Sequence, residues 1–230
     1  MWKQGRNILS AFVGVNQGEI LDCHIKSFTG KGKVEQPFCY SNEGIIENVS
    51  DITDVKSAEE QSAGLEVQEV DSVIEVRSAE QLLEICKQVN LGDSFYYSGH
   101  YRLINDLDLK GMKWIPMGSS EREPFCGIFD GNGYAIKNVK VKGSLRDYSG
   151  FFGYLKQAVV KRLSLEGTVA GGAYTGALAG VSEDSDITSC FVSAHVYGRY
   201  YTGGFVGKNA GRIKHCYCAG KVAKRKIWII

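Results

Sequence analysis

Tyr148-Ser149-Gly150, Tyr174-Thr175-Gly176 and Tyr201-Thr202-Gly203 set a phenol, a hydroxyl residue and a glycine at steps of 26 and 27 residues. Stacked one above another, they would form an aromatic ladder with Arg146 and Arg199 beside it. Flat rings and hydroxyls facing solvent suit sugar rings or an extended peptide. The plainer reading is that the rings stack to stabilise a turn, each pair adding about 0.5–1.5 kcal/mol. Tyr148, Tyr174, Tyr201, Arg146 and Arg199 are the candidate ligand-binding residues.

Acid–base or metal chemistry needs carboxylates gathered in one place, as in the lyases and hydrolases that β-helices can host. Aligned on the repeat, Asp184, Ser185 and Asp186 fall opposite Ala210, Gly211 and Arg212, while Arg162, Ser189 and His215 share another position. Neither column keeps its acids. Asp106 and Asp108 share a strand face with no acid above them, which suits solvated or turn-stabilising groups. Asp130-Gly131-Asn132-Gly133 is turn chemistry, because Gly and Asn tolerate positive φ; it lacks the later glutamate of a calcium-binding EF-hand. His24, His100, His195 and His215 are scattered without metalloprotease spacing, and there is no nucleophile elbow. They read as surface or turn residues. The expectation is a non-catalytic protein with no catalytic residue, metal or cofactor.

The elements that would position the tyrosines repeat along the chain. Gly153, Gly180 and Gly207 close three glycine-rich units at steps of 27. Val160, Ile187 and Ile213 follow in register, as do Leu163, Cys190 and Cys216, and Val169, Val196 and Val222. A short β-rich unit cannot bury its own apolar side, so such units stack into a solenoid. The same unit occurs near the start: Phe12-Val13, Asn16-Gln17-Gly18, Ile20 and Cys23 return as Phe38-Cys39, Asn42-Glu43-Gly44, Ile46 and Val49 at a constant step of 26. With 28 glycines, only 3 prolines and no triplet period, the glycines read as turns between short strands.

Three segments are expected: two coils over 1–50, an acidic linker over 51–72, and a β-helix domain over 73–230. Val73-Ile74-Glu75-Val76 reads as a strand. Ser78-Ala79-Glu80-Gln81 matches a capping box before the apolar stripe Leu82, Leu83, Ile85, Cys86 and Val89, which predicts one short helix near 78–90 covering the first coil's open edge. Leu103, Leu107 and Leu109 are expected to face inward. At the other end, Lys221 to Ile230 reads as a last strand cut off before its cap, with Ile227, Trp228, Ile229 and Ile230 leaving an edge that invites self-association. Lys3 and Arg6 before Ile8–Val15 mimic a signal peptide, but those residues fall in register with the second unit, and no A-x-A-like site follows.

Tyr101 to Val141, with Asn105-Asp106-Leu107-Asp108-Leu109, Trp114-Ile115-Pro116-Met117-Gly118 and Phe129-Asp130-Gly131-Asn132-Gly133-Tyr134, followed by the units ending at Gly180 and Gly207, resembles bacterial proteins carrying GLUG motifs. Tyr201 to Tyr217 is similar to that motif almost throughout. The resemblance implies an all-β, right-handed parallel β-helix on secreted or surface-attached proteins, among them adhesin-like proteins and non-catalytic regions of immunoglobulin A peptidases. Those proteins are longer, so this chain looks like a fragment.

Charge and cysteine content narrow the partners. A net charge of +1 from 27 basic and 26 acidic residues supplies no field for nucleic acid or anionic lipid, and no apolar run reaches the roughly 18 residues of a membrane span. Seven cysteines without a C-x-x-C pair indicate neither a closed disulfide framework nor a zinc ribbon. Cys216 and Cys218 share a strand face with Cys190 one coil away, an internal ladder of small apolar groups; a Cys190–Cys216 disulfide stays open as an alternative. The sequence thus reads as a non-catalytic adhesive or spacer module of an extracellular or cell-surface protein, with a host or matrix glycoprotein or polysaccharide as partner. A carbohydrate-active lyase or hydrolase on the same fold, or a purely structural stalk, are the alternatives.

Overall fold

The computed structural model describes residues 9–28, 39–51, 72–142 and 146–224. They form a parallel β-solenoid, and its strand order differs from the chain order. In one sheet the neighbours run Leu107–Asp108, Ala135–Lys142, Ser164–Ala170, Phe191–Gly198, Tyr217–Lys224, then His24–Phe28 and Ser50–Asp51. A second sheet runs Val73–Val76, His100–Leu103, Ile128–Asp130, Val159–Lys161, Ala179–Thr188, Val206–Lys214, then Val13–Asn16 and Cys39–Asn42. The third holds Ala173–Thr175, Tyr200–Gly203 and Leu9–Ser10. All these pairs are parallel.

The two N-terminal coils therefore continue the stack beyond the last C-terminal coil. Val13 pairs with Val206, Ile20 with Ile213, and Ile25 with Cys218. Phe12 lies flat on Phe205, ring centroids 4.9 Å apart and 2° from parallel. Asn209 Nδ2 donates to Asn16 Oδ1 (2.9 Å), and Asn16 Nδ2 donates to Asn42 Oδ1 (2.8 Å), so an amide ladder crosses the junction. This corrects the expectation of an open edge after the last coil: the edge of Val206–Lys214 and Tyr217–Lys224 is paired. Ile227 to Ile230 and the residues 52–71 of the acidic linker lie outside the described residues. A chain the length of 52–71 can span about 65 Å. The distance from the outermost N-terminal coil back to Val73 is about 34 Å, seven strand spacings.

Each coil turns a corner at a single left-handed residue. Arg162, Ser189, His215, Asp22 and Asn48 have φ between 50° and 54°, and the N–H of the first four reaches the next coil, as in Ser189 to the carbonyl of Lys214 (3.1 Å) and His215 to that of Leu21 (3.1 Å). The shared position read for Arg162, Ser189 and His215 is this corner, not a catalytic column. The residue after it points inward at Leu163, Cys190, Cys216 and Cys23, which accounts for three of the cysteines. Cys190 N–H donates to Cys216 Sγ (3.5 Å), and Cys216 N–H donates to Cys23 Sγ (3.4 Å). A backbone donor turned toward the core needs a partner, and a thiol supplies one while packing as a small apolar group.

Val160, Ile187, Ile213 and Ile20 are fully buried in one column, and Val169, Val196 and Val222 are buried in another. Leu103, Leu107 and Leu109 face inward as expected. Trp114 is stacked on Phe151 (4.6 Å, 1°) and donates Nε1–H to the Phe151 carbonyl (2.8 Å). The predicted helix forms over Ala79–Asn90 with Ser78 as N-cap. Ser78 Oγ accepts from Gln81 N–H (3.2 Å), and Gln81 Oε1 accepts from Arg77 N–H (2.8 Å), one residue earlier than a standard box. Leu82, Ile85, Cys86 and Val89 are buried, and Asn90 ties the helix to the Pro116 carbonyl (3.0 Å) and the Gly118 N–H (2.9 Å). A second helix, Ser94–Tyr97, was not expected from the sequence.

The cysteines are unpaired thiols, all buried except the half-buried Cys126. Burial pushes Cys39 up to about 11 and Cys86 up to about 12, and holds Cys216 well above the usual thiol range. Since the thiolate is the reactive form, a thiol reagent should label the native chain slowly and at Cys126 first, with the rest reacting in denaturant. Fast labelling of Cys23, Cys216 and Cys218 in the native chain would mean that the junction between the N-terminal and last coils is open.

Candidate functional site

The tyrosine ladder forms. Tyr148, Tyr174 and Tyr201 occupy a second left-handed corner, with φ of 57°, 51° and 48°, a conformation that is uncommon for a bulky side chain. Strain of this kind persists where surrounding structure over-determines it, and here the determinants are visible. Tyr148 N–H donates to the Ala173 carbonyl (3.1 Å) and Ser149 N–H to that of Tyr174 (3.0 Å). Behind the rings, Ser149, Thr175 and Thr202 are fully buried; Ser149 Oγ–H donates to the Arg146 carbonyl (3.1 Å) and Thr175 Oγ1–H to that of Gly172 (3.2 Å). Gly171 is required there, because a Cβ would sit 2.5 Å from Ser149 Oγ and 2.6 Å from Thr175 Oγ1.

The rings stack at 5.5 Å and 7° between Tyr148 and Tyr174, and at 4.9 Å and 10° between Tyr174 and Tyr201. All three are half-buried. Stacking turns the ring faces toward each other, so the ladder offers solvent a row of ring edges and hydroxyls rather than the open faces that the sequence reading pictured. Burial first, then the nearby carboxylates of Glu121 and Asp147, holds the Tyr148 hydroxyl above the usual phenol range. Tyr174 is raised by burial and by its two neighbours in the ladder. Both remain neutral donors at physiological pH.

The two arginines make contacts outside the ladder. Arg146 is exposed and lines a cleft of about 330 Å³ with Leu83, Lys87, Leu91 and Ile115, beside the capping helix. Arg199 lies over the ring of Tyr200, with Cζ 5.6 Å from its centroid. Arg146 and Arg199 are kept apart by Gly172, which bonds to both backbones: its N–H donates to the Arg146 carbonyl (2.8 Å), and its carbonyl accepts from Arg199 N–H (3.0 Å).

Sequence reasoning missed a neighbour of the ladder. Tyr154 meets Tyr148 edge-on at 5.5 Å, its hydroxyl donates to Glu183, and Lys156 Nζ lies 3.1 Å from that carboxylate. The bond from Tyr154, followed by that from Lys156, holds the Glu183 carboxyl below the usual range. The available signal was the register, in which Lys156 stands opposite Glu183 on the next coil.

Asp106, Asp108 and Asp130 are engaged in turns and ion pairs. Asp106 accepts from Ala135 N–H (2.9 Å) and Lys137 Nζ (2.7 Å), and Asp108 accepts from Lys110 N–H (2.8 Å) and Asn138 Nδ2 (2.7 Å), the turn-stabilising role expected of them. The Asp130 turn forms, with Asn132 N–H donating to Asp130 Oδ1 (2.8 Å). Its carboxylate is also wholly buried between Arg162, which contacts both oxygens (3.1 and 2.5 Å), and Arg102 (3.5 Å). His100 departs from the surface or turn position expected of it: it is 8% exposed, flanked in the strand ladder by Val73 and Ile128. His195 and His215 are exposed, and His24 packs against Tyr217 at 5.6 Å. Among the described residues, no group of three or more His, Cys, Asp or Glu is placed to hold a metal ion, and no helix is long and apolar enough to cross a membrane.

No family model and no solved structure matches the chain. One curated protein does, over part of its length. A 120-residue stretch is 30% identical to Halomucin of Haloquadratum walsbyi (strain DSM 16790 / HBSQ001), covering 46% of this chain and 1% of Halomucin. The chain thus spans about a hundredth of that protein.

Proposed function

We propose that this chain is a non-catalytic repeat module of a surface or secreted protein of the GLUG-motif type, and that it binds polysaccharide or glycoprotein glycan along the tyrosine ladder. The observation that carries this reading is the row of half-buried tyrosines held at 4.9 and 5.5 Å by three successive coils. A rigid row of phenol hydroxyls needs no ordering when it binds, which favours a polymer that repeats its own hydroxyls. Each contact is weak, and a rod multiplies them through effective concentration. The partial likeness to Halomucin supports an extracellular setting for such a module.

Replacing Tyr148, Tyr174 and Tyr201 by Phe keeps the stack and removes the hydroxyls. On a glycan and matrix-glycoprotein array, the full chain should bind, and the triple Phe variant should bind about tenfold or more weakly while melting at an unchanged temperature, because each lost hydrogen bond is worth about 0.5–1.5 kcal/mol. Equal binding by both chains, or silence from the parent chain across the array, would leave a spacer or stalk as the better reading.

A further inference from the structure

The junction between the last coil and the N-terminal coils has no continuous backbone across it. Tyr200–Gly203, Val206–Lys214 and Tyr217–Lys224 receive Leu9–Ser10, Val13–Asn16, Glu19–Leu21 and His24–Phe28 through strand pairing alone. Side chains add the Phe12–Phe205 stack, the Asn16–Asn209 bond, the Cys23–Cys216 contact and an ion pair between Glu19 and Arg212 (2.9 Å). The covalent route between the two sides runs instead through 52–71 and the whole 72–224 stack.

We infer that this end of the solenoid is a docking surface for a coil pair, and that it takes the strands within residues 9–28 and 39–51 of a second copy of this chain as well as its own. Every contact just named would be reproduced unchanged when the pair comes from another copy, which is the condition for domain swapping. The tether permits it, since 52–71 has about twice the reach that closure within one chain requires. The Ala79–Asn90 helix covers the core at the opposite end of the stack, and the contacts at the junction match the donated pair residue by residue. Closure within one chain is an intramolecular event and exchange is not, so exchange is selected by folding at high protein concentration.

Glu19 and Arg212 stand opposite each other on adjacent strands, and both are partly exposed. Single variants Glu19→Cys and Arg212→Cys are prepared separately, unfolded together, refolded as an equal mixture at micromolar and at near-millimolar concentration, and then oxidised. A peptide linking positions 19 and 212 can arise in that mixture only between chains. The double variant in one chain, refolded dilute, reports closure within a copy. The expected result is closure in the double variant, together with a 19–212 link in the mixture that grows with concentration and runs at the mass of two chains. Closure in the double variant with no link in the mixture at either concentration overturns the inference; failure of the double variant to close removes the docked junction and the inference with it.

Discussion

Deleting residues 1–51 should convert a folded, dispersed chain into one that self-associates. The deletion strips the covering coils from the last coil and bares Phe205, Val206, Ile213, Cys216 and Cys218, all fully buried in the intact chain. It also unpairs two long strand edges, Val206–Lys214 and Tyr217–Lys224, which are templates for edge-to-edge association. On the removed side, Phe12, Val13, Ile20 and Ile25 are each buried to within 1%, and full burial of such a side chain is worth about 1.5–3 kcal/mol before ordering costs. Against the 5–15 kcal/mol of a typical fold, that loss is large. Light scattering and melting of the truncated chain beside the full chain check it; a truncated chain that stays monodisperse and melts with the parent would show that the N-terminal coils do not cover this end.

The second large effect is expected at Asp130. Its carboxylate is fully buried and bridges Arg102 on the preceding coil and Arg162 on the following one. Asp130→Ala leaves two guanidinium groups facing an empty site. Removing one partner of a buried pair costs about 3–5 kcal/mol, and the half-exposed arginines place the value near the lower end, a fall in Tm on the order of 10 °C. The pH dependence separates charge from shape. Burial alone would raise the Asp130 pKa, but the bonds from Arg162 and from Asn132 N–H outweigh it, and the group stays below the ordinary carboxylate value. A depressed folded pKa means stability that is fully present above the unfolded value, about 3.9, and lost as pH falls through the folded one. The stability gap between the parent and Asp130→Asn should therefore hold at neutral pH and close as pH drops below about 4. A gap that persists unchanged at pH 2, or no gap at pH 7, would mean that the Asp130 charge does not stabilise the fold.

Much of the coil was legible because stacked strands repeat the same demand at the same step. Val169, Val196 and Val222 align in the sequence, and they align in the sheet. The corner shared by Arg162, Ser189 and His215 was also visible as a register, although its cause, a left-handed residue in each coil, was not. The residue types there share no chemistry, and backbone conformation is all that they have in common. The ladder of Tyr148, Tyr174 and Tyr201 was legible as a column, but its geometry was not. Sequence spacing does not say whether rings lie face to face or turn their faces outward, and stacking decided that. Arg146 and Arg199 look adjacent to the ladder because they are near it in number; the side chains leave it for the capping helix and for Tyr200.

By itself the sequence determined that the chain is built of stacked β coils, because local alternation and a constant step specify which side chains face inward in each coil. It also determined the cap, since a helix start depends on residues within one turn. The tertiary structure alone decided which coil follows which. Each coil presents backbone donors and acceptors and an apolar column at its edge, and three neighbouring coils share an asparagine, Asn209, Asn16 and Asn42. Chain order does not by itself choose which coil follows which. The choice of Asn16 for Asn209, Phe12 for Phe205 and Cys23 for Cys216 joins residues some 190 positions apart, where hydrogen bonding and burial act through space and leave no mark in local spacing.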